Sequence, residues 1–131
     1  MAEPVAKDGD DVVAIDTHIV LVSSPGGPVP TMMPMPVRGP LSRELAASVF
    51  VDGKAVAVVG SKADNQPQHI PIGGPFQSSP SNEGTVAEGS TTVFIDGKGV
   101  ARNGDPATTC NDPTDQQVGH VVASGTAYAA G

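Results

Sequence analysis

A chain of 131 residues is long enough for one domain with a modest core and too short for two. Sixteen Gly and 13 Pro exclude long helices, and a net charge of −7 argues against a nucleic-acid partner, which would have to be held by neutralising phosphates. There is no Trp and one Tyr, and the apolar residues are dominated by 18 Val, so the core has to be thin and strand-built, a core that gains much from a metal staple.

The opening Met1-Ala2-Glu3-Pro4 has neither the basic start nor the apolar centre of a signal peptide, and no apolar run approaches membrane-spanning length. Synthesis and assembly in the cytoplasm are therefore expected, in keeping with a single Cys that cannot form an internal disulfide. Pro4-Val5-Ala6-Lys7-Asp8-Gly9-Asp10 leads into Val12 to Val22, a nearly continuous β-branched stretch that predicts a strand pair or one long bent strand. Ser23 to Pro40 is dense in Pro and Gly, which predicts an extended or looping segment rather than a helix or a central strand. Its cluster Met32-Met33-Pro34-Met35 is an adaptable apolar patch, lying back on the core or facing a partner. Leu41 to Ala47 predicts one or two turns of helix at most.

Ser48 to Ala63 then reads S-V-F-V-D-G-K-A-V-A-V-V-G-S-K-A, and it recurs 44 residues later as Thr92 to Ala107. Phe50/Phe94, Asp52/Asp96, Gly53/Gly97, Val56/Val100, Ala57/Ala101 and Gly60/Gly104 all coincide. In each copy a short strand ends at Asp-Gly, the pair suited to a hairpin turn in which both central residues take positive φ. A shorter third copy, Pro4 to Asp10, aligns with Gly99 to Asp105. One supersecondary unit is thus used three times, at approximately residues 1–22, 48–72 and 91–122, with loops at 23–47 and 73–90.

The repeats carry the histidines. Gly9 to His18 and Gly60 to His69 are both nine residues apart, while Gly104 to His120 is sixteen, and the only cysteine, Cys110, falls in the longer interval. If the units are related by an approximate rotation, His18, His69, Cys110 and His120 converge on one axis and supply a closed tetrahedral shell for a structural Zn2+. None of these spacings is a zinc-finger pattern, and an isolated His is more often a packed or surface residue; the shared phase is what favours a common site. No catalytic residue is expected. A zinc hydrolase is the weaker alternative, because a full shell leaves no position for water and no His as base. A Cys110–His120 nucleophile pair would sit beside Asp112, the wrong charge for a thiolate. A β-rich adhesin or decoration protein is a further alternative.

Pro4 to Asp10 and Gly99 to Asp105, with a degenerate copy at Ala55 to Ser61, resemble the Pro-Ala-Ala-Arg-x-Gly-Asp signature of PAAR-repeat proteins. The paired S/T-V-F-V/I-D-G-K strands are similar to that family too, and Gly27-Pro28-Val29-Pro30 resembles its PAAR-like branch in contractile injection systems. The resemblance implies an all-β, small conical fold of short hairpins with pseudo-three-fold repeats and a structural zinc near its point. It implies a non-enzymatic tip that caps and sharpens the trimeric β-helical spike of a type VI secretion system, phage-like tail or extracellular injection particle, one copy per trimer. Cargo effectors are further partners under that resemblance, contact with the target membrane is transient, and the chain is delivered outward with the particle.

Overall fold

The structure, a computed structural model describing residues 2–131, consists of strands, bridges and turns, with no helix among the described residues. In chain order the strands are β1 (Glu3–Pro4), β2 (Asp11–Val22), β3 (Val29–Arg43), β4 (Phe50–Val51), β5 (Lys54–Ala55), β6 (Lys62–Asp64), β7 (Glu83–Val86), β8 (Phe94–Ile95), β9 (Lys98–Gly99), β10 (Pro106–Thr109), β11 (Gln116–Val122) and β12 (Tyr128–Ala129). Six of them close an antiparallel barrel in the order β10-β11-β2-β3-β6-β7. The barrel is made of three hairpins, β2–β3, β6–β7 and β10–β11, whose first strands β2, β6 and β10 each follow one copy of the repeated sequence.

The strands that lead into these hairpins meet in a ring. Ala6 N–H donates to Ala101 O at 2.9 Å, Ala101 N–H to Ala57 O at 3.0 Å, and Ala57 N–H to Ala6 O at 2.9 Å, closing a three-membered cycle. All three methyl groups are fully buried, so the meeting point has room for nothing larger. Past the ring each unit turns at a glycine in the left-handed region, Gly9, Gly60 or Gly104, with φ of 90°, 95° and 88°. Each turn is pinned by a side chain that accepts the amide three residues earlier: Asp10 Oδ2 from Lys7 at 3.1 Å, Ser61 Oγ from Val58 at 2.9 Å, and Asp105 Oδ2 from Arg102 at 2.8 Å. The central repeat departs in sequence from the other two at this position, yet Ser61 supplies the same acceptor.

The two-residue period of a strand sorts the core onto the two faces of the ring. On the barrel side the three alanines pack with Val12, Ala63 and Ala107 from the outgoing strands and with Leu41, Val86 and Val121 from the returning ones. Full burial of each Leu or Val contributes roughly 1.5–3 kcal/mol. On the other side Val5, Val56 and Val100 form a second cluster with Val58, Ala46 and Ala129. Three short ribbons flank it: β4–β5, β8–β9 and β1–β12. The first two turn at Asp52-Gly53 (φ 53° and 77°) and Asp96-Gly97 (φ 53° and 79°), the all-positive geometry expected of Asp-Gly. The third is assembled from two segments far apart in sequence, and its Val5 N–H to Ala127 O bond of 2.9 Å repeats Val56 to Val49 and Val100 to Val93.

Three sequence expectations are corrected. Residues 23–47 are not a loop: Val29–Arg43 is the longest strand of the barrel, paired with β2 from Val29 to Pro40. The prolines that argued against a strand, Pro30, Pro34, Pro36 and Pro40, all share one parity. The carbonyl of Arg38, of that same parity, accepts from Gln66 N–H at 2.9 Å, on the side away from β2. No proline therefore occupies a position that must donate to the β2 ladder. Nor do residues 41–47 form a helix. Leu41 is fully buried opposite Ala63, and Glu44, at φ 56°, ends the strand. A segment this short gains more from barrel pairing than from nucleating a helical turn. In the second expected loop, 73–90, β7 likewise occupies Glu83–Val86.

Candidate metal centre

Beyond the ring, the connections of the β6–β7 and β10–β11 hairpins converge on β2. Along that strand the even-numbered residues Asp16, His18 and Val20 point inward and are buried. The odd-numbered residues turn their main chain to the neighbouring connections. Thr17 N–H donates to Asn111 Oδ1 at 2.7 Å and Thr17 O accepts from Asp112 N–H at 2.8 Å, which fixes the segment following β10. Ile19 O accepts from Gln77 N–H at 2.9 Å and Leu21 N–H donates to Pro75 O at 2.8 Å, which fixes the connection between β6 and β7.

This arrangement brings Asp16 and His18 from the first unit, His69 from the second and Cys110 from the third into one buried group, with one donor atom from each lying within 4.8 Å of the others. Tetrahedral zinc, with bonds of about 2.0–2.3 Å, places its donors roughly 3.3–3.8 Å apart, so small side-chain adjustments suffice for a fit. His69 Nε2 lies 2.7 Å from Asp16 Oδ2, and Cys110 Sγ lies 3.5 Å from the same oxygen. His69 is positioned by its own amide, which donates to Asn82 Oδ1 at 2.8 Å.

His18 carries the clearest sign that something is to be bound. Its ring is buried, tilted against His69 at 5.0 Å between centroids and edge-on to Phe76, yet neither ring nitrogen has a hydrogen-bond partner. Nδ1 is 3.3 Å from Asp112 Oδ2 but not aligned for a hydrogen bond, and that oxygen accepts from Ile19 N–H at 2.8 Å. A buried imidazole with both nitrogens unpaired is costly, and a metal on one of them relieves it. Burial, reinforced by the charge of Asp16, pushes the Cys110 thiol above its ordinary pKa. A divalent cation beside the sulfur reverses that balance, because a coordinated thiol is deprotonated. The donor set therefore fits a borderline-soft cation.

His120 is not part of the group. The chain reverses between β10 and β11, and by His120 it has returned to the level of Pro106 and Val13. The alternation along β11 buries Gly119 and Val121 and leaves His120 on the outer surface. Equal phase from a glycine holds for His18 and His69; the longer third interval is a hairpin that goes out and comes back, with Cys110 at its far end. Asp16 was legible only as the i, i+2 partner of His18 on one face of a strand, a pattern that Asp-Thr-His carries without advertising it.

No curated protein and no solved structure matches the chain. A family model of the PAAR motif matches residues 76–130, the segment that holds β7 to β12, Cys110 and the third copy of the signature. The first and second copies lie outside that match and are tied to the third by the alanine ring. The chain therefore carries a PAAR motif, over residues 76–130.

Proposed function

We propose that this chain is the structural tip of a contractile injection apparatus, a type VI secretion system, phage-like tail or extracellular particle, and that one copy caps a trimeric spike. The PAAR motif supports a spike-tip role at the level of the family. The observation that carries the finer reading is a three-fold set of exposed aromatic side chains. Phe50 on β4, Phe94 on β8 and Tyr128 on β12 occupy equivalent positions on the three short ribbons and are 60%, 57% and 60% exposed. A monomer with three similar apolar points around one pseudo-axis suits the blunt end of a three-fold partner.

The opposite direction along the axis supports the same polarity. None of the Asp, Glu, Lys and Arg residues falls within 17–37 or 65–82, the segments that build the far part of the β2–β3 hairpin and the connection packed on it. A leading end without charges meets less desolvation cost on entering an envelope. Zinc held by His18, His69 and Cys110 would staple β2 to the two connections packed on it, a structural role with no chemistry asked of the metal beyond binding.

The test is a variant with Phe50→Ser, Phe94→Ser and Tyr128→Ser, co-expressed with the cognate spike. Loss of co-purification at an unchanged melting temperature is expected. Undiminished co-purification would show that the ribbons are not the docking surface.

A further inference from the structure

Given the reading of the cluster as a zinc site, we infer that its fourth donor is the carboxylate of Asp16, acting through Oδ2, so that the shell is two imidazoles, one thiolate and one carboxylate. Three independent features of Asp16 lead there. It is fully buried and shares the inward face of β2 with His18. Its two oxygens are differentiated: Oδ1 accepts from the Thr109 hydroxyl at 2.5 Å, while Oδ2 faces His69 Nε2 and Cys110 Sγ. Thr109 is itself steadied by Asn111 Nδ2 at 3.3 Å, so the carboxylate is held as a one-oxygen donor by a layer of neutral hydrogen bonds.

The third feature is charge. Among the described residues no Lys or Arg pairs with Asp16; its only ion-pair contact is His69. A buried carboxylate without a cation is expensive, and truncating one partner of a buried charge pair typically destabilises strongly. A divalent cation with one thiolate and one carboxylate sums to zero, whereas three imidazoles and a thiolate leave a net positive charge among buried side chains. The neutral shell is the cheaper one to bury. His120 cannot compete for the place without unpairing β11 from β2 at Val13.

The experiment uses the full chain loaded with zinc, and with cobalt(II) as a spectroscopic substitute. Loss of an outer-shell partner costs about 10–100-fold in metal affinity; Asp16→Ala is expected to exceed that, while His120→Ala leaves affinity, stoichiometry and the cobalt spectrum unchanged. Because Asp16→Ala can also unfold the chain, Asp16→Cys is the second arm: a second thiolate at the same place should roughly double the thiolate-to-cobalt charge-transfer absorbance. Asp16→Ala with wild-type affinity, Asp16→Cys with an unaltered cobalt spectrum, or His120→Ala that loses the metal would each overturn the assignment. A wild-type chain that takes up neither metal would instead overturn the metal reading on which it rests.

Discussion

Ala57 donates its amide hydrogen to the carbonyl of Ala6 at 2.9 Å, joining the second repeat to the first across a ring in which Ala101 completes the circle. This contact explains why Ala recurs at the third position of each copy. The main chains of three strands pass so close to one axis that only a methyl group fits between them, and the bridges Val5–Arg102, Lys7–Val56 and Val58–Val100 stitch the same three strands outside the ring.

Enlarging one of these methyl groups is therefore expected to act on all three units. Ala57→Val should cost roughly 1–3 kcal/mol through overpacking, against a fraction of that for Val13→Ala on the outer barrel wall. Chemical denaturation checks it. Equal stability of Ala57→Val and wild type would mean the ring has slack that its complete burial does not suggest.

The ribbon turns make a sharper prediction, because space and backbone conformation can be separated. No atom lies within 4 Å of a Cβ placed on Gly97, so any penalty there comes from its φ of +79° and not from a clash. Gly97→Val should lose about 1 kcal/mol or more, and Gly97→Asn, which tolerates the left-handed region, clearly less. Thermal melting of the two variants side by side decides it; equal losses would point to a cause other than backbone strain.

How far the sequence discloses this fold depends on whether a feature is local. The Asp-Gly turns and the Gly turns are written in short spans, and the structure places positive φ at Asp52-Gly53, Asp96-Gly97, Gly9, Gly60 and Gly104. The strand Val29–Arg43 is different. A Pro-rich segment looks like a loop until its pairing register is known, because only the register reveals that every proline falls on the side away from β2. The site divides along the same line. His18, His69 and Cys110 lie at the outer ends of their units and come together, while His120 lies on a returning strand whose reversal the spacing alone does not show. Asp16, one of many acidic residues, becomes distinctive only when it is seen buried beside them.

The register argument has its own test. A proline introduced at Val37, whose parity directs its amide toward Ala14 on β2, should cost on the order of 1–3 kcal/mol by orphaning a ladder acceptor. The same substitution at exposed Met32, of the opposite parity, should be nearly neutral. Comparable losses at the two positions, read by thermal or chemical denaturation, would contradict the assigned pairing.

The central claim is that three unequal repeats in one chain present a pseudo-three-fold face to a true three-fold partner. Native mass spectrometry of the chain co-expressed with its cognate spike measures this directly. Three spike chains bound to one copy of this protein is the predicted composition, whereas three copies per spike trimer would contradict it.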